Sequence, residues 1–293
     1  MKVSGFTFVR NAVRFDYPVV ESVSSILPLC DEFIVAVGDS DDSTREMIRS
    51  IPSSKIRIVD THWDDTKREG GRVLAEETNK AFDAISPDST WAFYLQADEV
   101  IHEDWLDTIR RSMVKWKDNQ EIDGLLFNYL HFYGSYNFVA DSRNWYRHEV
   151  RIIRNDKHIR SYKDAQGFRK DEKKLQVALI PAWVYHYGWV KPPELQQAKQ
   201  KTFHRYWHDD RWIENRVPES NSFDYSRIDS LELFKKSHPA VMKHRIESKN
   251  WQFQFDPSQK KFSVIGRILH FIEKKTGWRI GEYRNYKVRK QVG

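Results

Sequence analysis

The sequence predicts an α/β fold, a mostly parallel sheet flanked by helices with a helical C-terminal appendage. Three observations carry that expectation. Across residues 1–120, short runs rich in β-branched and aromatic side chains alternate with segments of helical apolar period. Between them stand clusters of Gly, Asp, Ser and Pro that end one element and begin the next. One run, Trp91-Ala92-Phe93-Tyr94-Leu95, is apolar throughout, as a strand covered on both faces requires.

Residues 3–9 alternate as a strand, 17–29 as a helix and 33–38 as a second strand. A helix begins near Ser43 and stops before Pro52, and Lys55 to Asp60 forms a third strand. The helix from Arg72 to Ile85 sets Leu74, Thr78, Ala81, Phe82 and Ile85 on one face. After the buried run at 91–95, a helix carries Glu103 and Asp104 in its first turn, where acidic groups meet the positive end of the helix dipole. Residues 123–137 and 149–168 read as two longer strands rich in Tyr, Phe and Arg, with a loop around Asp141 to Tyr146 between them. From Pro192 the chain reads as helix and loop, and no Gly/Ser linker marks a break. The expected division is therefore a sheet-containing unit over 1–190 and a basic helical extension over 191–293 packed on it.

Composition narrows the function classes. With 293 residues, 40% hydrophobic and 14% aromatic, the chain can bury a sizeable core, which excludes general disorder. Cys30 stands alone, so neither an intrachain disulfide nor a cysteine-rich zinc site is available. No apolar run approaches the length of a bilayer span and no export signal is visible, so a cytoplasmic location is expected. The net charge of +6 hides an asymmetry: residues 1–140 carry 15 basic against 24 acidic side chains, and residues 141–293 carry 33 against 18. A basic second half suits phosphates, anionic acceptors, nucleic acid or a lipid surface, or simply a solvated face.

In an open parallel sheet, ligands bind beyond the carboxyl ends of the strands. Polar clusters fall at those ends: Arg10-Asn11 after the first strand, Gly38 to Thr44 after the second, and Gln96-Ala97-Asp98-Glu99 after the buried one. Asp39 and Asp42 suit hydrogen bonding to a nucleobase or ribose, while Asp42 is equally fit to cap the following helix. Asp98 suits a hard cation bridging two phosphates. Arg143 and Arg151 flank Trp145, a combination able to stack on a sugar and grip an anionic acceptor. Lys191 suits the charge of a leaving diphosphate, whereas Glu149 and Asp156, flanked by basic residues, read as surface ion pairs.

In these motifs and their order, over residues 3–190, the chain resembles the family 2 glycosyltransferases of GT-A fold. The carrying segments are Phe8-Val9-Arg10-Asn11, Ile34 to Glu46, Gly70-Gly71-Arg72 and Trp91 to Glu99. The resemblance implies a nucleotide-diphosphate sugar donor, a Mn²⁺ or Mg²⁺ ion and an inverting displacement onto a glycan or lipid-linked acceptor, with no nucleic-acid partner. Where that family usually has Asp-x-Asp, this chain has Gln96-Ala97-Asp98. The resemblance makes Asp98 and His186 the metal ligands, a pair suited to Mn²⁺. Taken with the residue readings above, this assigns Arg10, Asn11, Asp39, Asp42, Arg72, Gln96 and Lys191 to the donor and Arg143, Trp145 and Arg151 to the acceptor, and the resemblance gives the general base to Asp164 or, second, Asp141.

Two rival readings stand beside this one. The basic second half would equally serve a nucleic-acid or polyanion-binding protein, and Gln96 would equally mark a degenerate transferase without activity. In the tail, Val264, Ile265, Ile268, Leu269 and Ile272 form a helical stripe among Lys260, Lys261, Arg267, Lys274 and Lys275. That stripe either packs on the catalytic unit or makes peripheral contact with the inner face of a membrane.

Overall fold

A computed structural model describes residues 1–67, 69–216 and 220–289. The strands are β1 (Val3–Val9), β2 (Glu32–Gly38), β3 (Ile56–Thr61), β4 (Trp91–Tyr94), β5 (Glu99–Ile101), β6 (Gly124–Tyr133) and β7 (Phe138–Ala140). They continue as β8 (His148–Arg154), β9 (Ile159–Tyr162), β10 (Gly167–Lys170), β11 (Lys173–Lys174), β12 (Gln176–Trp189), β13 (Leu231–Leu233) and β14 (Lys287–Val288). The helices are α1 (Val19–Ile26), α2 (Thr44–Arg49), α3 (Arg72–Asp83), α4 (Leu106–Trp116), α5 (Pro193–His204), α6 (Asp210–Arg216), α7 (Lys243–Glu247) and α8 (Val264–Thr276).

Among the described residues, the main sheet has 11 strands, with the path β13-β7-β6-β8-β4-β1-β2-β3 and with β12 laid along β6 and carrying β5 and β14. Only β5, β7 and β8 of this sheet, among the described residues, run against the common direction. The fold is therefore α/β with a mostly parallel sheet flanked by helices, as the alternation over residues 1–120 predicts. Strand alternation builds both layers. From β1, β2 and β4, the side chains of Val9, Phe33, Val35 and Phe93 meet α1 and α4 on one face, and those of Phe6, Ile34, Ala36 and Tyr94 meet α3 on the other. Each buried Val, Ile or Phe among them contributes about 1.5–3 kcal/mol, so the inner strands are held from both sides.

Three expectations change. The 149–168 run is not one strand: an Asx turn, with His158 N donating to Asp156 Oδ1 at 3.0 Å, ends β8 and opens β9. A second turn, with Lys163 and Ala165 at positive φ, then sends β10 back along β9 in a separate three-stranded sheet. The strand read over 123–137 ends at Tyr133, where Gly134 adopts a φ of 68° and the chain reverses into β7. Past Pro192 the chain is not only helix and loop, because β13 extends one sheet edge through β7 and β14 pairs with β12. Among the described residues, no helix is long and apolar enough to cross a membrane.

Candidate active site

Because β1, β2, β4, β6 and β12 share a direction, their carboxyl ends lie along one edge. That edge carries a cavity of about 540 Å³, within the range of small-molecule sites. Its floor includes Arg10 after β1, Gln96 and Asp98 after β4 and His186 near the end of β12. Asp164 comes from the β9–β10 turn, and α5 with the turn beyond it adds Lys199, Phe203, Tyr206 and Trp207 as a further wall.

Strand register creates the central cluster. His131 of β6 and His186 of β12 are direct partners on neighbouring strands, and His186 also pairs with Glu99 of β5. The His131 Nε2–H donates to the Tyr146 carbonyl at 2.8 Å, since a carbonyl oxygen only accepts. His131 Nδ1 is then the acceptor in its 3.0 Å contact with His186 Nδ1, and this assigns the proton there to His186. Burial first, and then the neighbouring imidazole, holds His131 well below its ordinary range, consistent with a neutral ring. The network leaves His186 Nε2 as a lone pair, 3.6 Å from Asp98 Oδ1. Burial would raise the Asp98 carboxyl, but the neighbouring positive charge, Lys199 first, outweighs it and holds the group well below the usual carboxylate range. Lys199 Nζ donates to Asp98 Oδ2 at 3.1 Å and to the Gly188 carbonyl at 3.0 Å.

Two acceptors facing each other without a donor between them fit a shared cation. Gly188 keeps the space before them open, since a Cβ there would lie 2.6 Å from His186 Nε2 and 2.7 Å from Asp98 Oδ2. Among the described residues no three His, Cys, Asp or Glu side chains converge on a metal position. A divalent ion here would draw its remaining ligands from phosphate oxygens and water, the habit of Mg²⁺ and of related hard ions.

Asp164 sits across a second built contact. Gln96 Nε2 donates to the Ala165 carbonyl at 3.3 Å and so ties the end of β4 to the Asp164 turn. Gly71, at a φ of 72°, packs against the Asp164 backbone, where a Cβ would approach its Cα to 3.1 Å. Burial raises the Asp164 carboxyl above its ordinary range, which suits a proton acceptor. Beneath this turn, Glu149 is buried rather than a surface ion pair; desolvation pushes it up to about 8, against the pull of Arg151.

Arg10 lines the cavity, with Nη1 on Asp65 at 2.9 Å, Nε on the Asp39 carbonyl at 2.7 Å and its guanidinium over Trp63. Several other sequence-predicted residues lie elsewhere. Asn11 is a loop tie: its Oδ1 accepts from Asp41 N at 2.8 Å while its own N–H reaches Ser40. The Asp39 carboxylate pairs with His62 outside the cavity lining. Asp42 takes the helix-start role, accepting from Arg14 N at 2.7 Å and Thr44 N at 3.0 Å, and does not face the cavity. Arg72 is exposed at the first turn of α3, off the cavity. Lys191 is fully buried, its Nζ on the Phe15 carbonyl at 2.6 Å, so it cannot meet a diphosphate in this arrangement.

The expected acceptor group also disperses. Arg151 is fully buried in a bidentate pair with Glu99, at 2.7 and 2.8 Å, and reaches no ligand. Arg143 binds Glu273 of α8 at 3.0 Å, and Trp145 packs against His131, Tyr133 and Trp189. Asp141 is held by Lys260 at 2.7 Å and by Ser230, away from the cavity, which removes it as a base. Sequence reading missed Lys199, Tyr206, Trp207 and His131. Lys199 was legible as a cation with Phe203 one helical turn on, whereas Tyr206 and Trp207 lie in the turn beyond α5 and His131 depended on a strand register that no local pattern fixes.

No protein-family model and no curated protein matches this chain. Solved structures similar to it include TarS of S. aureus, at 15% identity over 69% of this chain and 39% of that one, with a TM-score of 0.40. The TarS 1-349 chain in complex with UDP gives 15% identity, 69% and 64% coverage and a TM-score of 0.40, so this chain spans less than two thirds of either TarS chain. Glucosyl-3-phosphoglycerate synthase from Mycobacterium tuberculosis, in complex with Mn²⁺, UDP and glucosyl-3-phosphoglycerate, gives 16% identity over 45% of each chain and a TM-score of 0.30.

Proposed function

We propose that this chain is a family 2-like glycosyltransferase that moves a sugar from a nucleotide-diphosphate donor to a hydroxyl of a glycan or lipid-linked acceptor in the cytoplasm, with inversion. Residues 1–190 would form the catalytic unit and 191–293 an extension that supplies one cavity wall. The observation that carries the reading is a single cavity at the strand ends holding an acidic-imidazole pair, two cationic side chains and a separate half-buried carboxyl. Asp98 Oδ1 and His186 Nε2 would hold a Mn²⁺ or Mg²⁺ ion, which supplies Lewis-acid neutralisation of the diphosphate. Arg10 and Lys199 are assigned to the same phosphates, and Gln96 to positioning the Asp164 turn. Asp164 takes the acceptor hydroxyl's proton as its oxygen bonds the anomeric carbon and the carbon–phosphate oxygen bond breaks, an effect of about 10²–10⁴ in rate.

Lys199 on Asp98 Oδ2 favours one second reading, in which the ammonium carries the diphosphate charge without a metal. A thermal-shift panel of nucleoside diphosphates with and without Mn²⁺ separates the two. Stabilisation grows with ligand concentration over Kd. The leading reading expects one metal-dependent response, to uridine or guanosine diphosphate. A selective response that ignores metal transfers the role to Lys199, and equal responses to every nucleotide, or none, remove the transferase reading.

A further inference from the structure

Helix α8 is mounted inside out. It is securely built: Ser263 caps its start through Gly266 N at 3.1 Å, Gly277 at a φ of 70° ends it, and the chain beyond returns to the sheet as β14. Its inward side is charged. Glu273 receives Arg143 at 3.0 Å, Arg279 at 2.7 Å and Arg147 at 3.6 Å, and the buried Asp141 carboxylate faces Lys260, His270 and Lys274. None of the 13 helix residues is buried; of the stripe read from the sequence Leu269 and Ile272 turn partly inward, while Val264, Ile265 and Ile268, 76%, 70% and 56% exposed, continue outward through Phe271, 63% exposed. Trp278, 62% exposed, extends the stripe past the cap.

Water is a poor neighbour for a contiguous stripe of this kind, and such patches mark interaction surfaces. Arg267 and Lys275 stand exposed along the stripe, and the Lys275 ammonium lies 6.0 Å over the Phe271 ring. We infer that α8 and Trp278 form a docking face for an anionic phospholipid membrane, with the apolar stripe entering the headgroup boundary and the flanking cations meeting lipid phosphates. Charge selects this occupant over a second copy of the chain. An isologous contact centred on Phe271 would set Arg267 of one copy against Lys275 of the other, cation against cation, whereas an anionic lipid surface complements both. The loop that α8 grips through Arg143 and Arg147 also delivers Tyr146 to the cavity, so docking would hold the cavity near the bilayer.

The test uses the full chain, without nucleotide, in co-sedimentation with vesicles of phosphatidylcholine alone or mixed with phosphatidylglycerol. The wild type is expected to bind the mixed vesicles about tenfold more tightly than the neutral ones, and added salt to weaken that preference. The doubly substituted Ile268→Asp/Phe271→Asp chain should lose about tenfold or more in binding while keeping its thermal melt, because both side chains are exposed. The Arg267→Glu/Lys275→Glu chain should lose the preference for anionic lipid. Absence of binding to the mixed vesicles, or equal binding by the Ile268→Asp/Phe271→Asp chain, overturns the inference. So does a lipid-free dimer in sedimentation velocity that this variant dissolves, because the face would then be a self-interface. None of these outcomes depends on whether the cavity transfers sugar.

Discussion

His131 makes no contact with the cavity, yet it decides which nitrogen of His186 faces it. Replacing His131 with Leu leaves His186 Nδ1–H without its acceptor and frees the ring to turn or change tautomer. Mn²⁺ affinity should then fall about 10–100-fold, the usual cost of losing such an outer partner. Titration of free Mn²⁺ by electron paramagnetic resonance measures it, and unchanged affinity in a normally melting variant would end the assignment. Glu149 gives a prediction with a definite sign. Its carboxyl is pushed from an ordinary 4.5 to about 8 by burial, so between those values the folded chain holds a proton that the unfolded chain has released. Stability must therefore fall as pH rises through that window, with the cost complete above about 8 and absent below about 4.5. Glu149→Gln mimics the protonated form and should leave stability near pH 4.5 unchanged while raising it at about pH 9, by on the order of a few kcal/mol. Urea unfolding at the two pH values checks this, and equal changes at both would show that the proton is not the cause. At this scale the sequence was readable where chemistry and chain position coincide, as for Asp98 directly after a fully apolar strand. It was misleading for Arg151 and Glu149, since a charged residue in a strand of basic neighbours looks solvated until the strands that bury it are known.

Between elements, the Arg151–Glu99 pair does the linking. Arg151 on β8 clasps Glu99 at the start of β5 and also donates to the Gln166 carbonyl at 2.9 Å, so the end of β4, the β9–β10 turn and β8 are fixed to one another. Removing one partner of a buried pair leaves the other charge unpaired. Arg151→Met should therefore cost about 3–5 kcal/mol of stability, seen in chemical denaturation, and a loss below about 1 kcal/mol would return Arg151 to an exposed, ligand-facing role. The opposite balance applies at Gly188 on β12. Gly188→Ala places a methyl against both His186 Nε2 and Asp98 Oδ2. Metal-dependent stabilisation by a nucleoside diphosphate should vanish in this variant while the unliganded melt moves by only a few degrees, and retained metal dependence would show that the ion sits elsewhere. The elements read well from sequence are those with a full local pattern: β1, β2, β4, α3 and α4 each match an apolar period within a few residues. β12 was not read as a strand over its 14 residues, because its outward positions mix Leu, Pro and Trp instead of alternating with polar groups. The 149–168 run was overextended because positive-φ turns at Lys163 and Ala165 carry no glycine to announce them.

For the molecule as a whole, the acidic first half and basic second half are not two independent bodies. Arg245 of α7 binds Asp16 at 2.6 Å and Glu21 at 2.9 Å, and Lys199 of α5 binds Asp98 at 3.1 Å, so part of the charge asymmetry read from the sequence goes to holding the C-terminal segment to the sheet. β13 and β14 add to sheet edges, and α5 carries Lys199 into the cavity. A chain reduced to residues 1–190 would keep the inner parallel strands but lose the α5 wall, both added strands and the partners of Asp16, Glu21 and Asp141. Three buried or half-buried carboxylate contacts would open to water, and the Lys199 contact to Asp98 would go with them. Such a fragment is expected to melt earlier and less cooperatively than the full chain, and to show no nucleoside-diphosphate shift at concentrations that stabilise the full chain. Calorimetry and thermal shift on the two proteins side by side measure both effects. An equal, metal-dependent shift in the fragment would mean that the donor binds without α5, and the wall assigned to Lys199, Tyr206 and Trp207 would be a cover over the site instead of part of it.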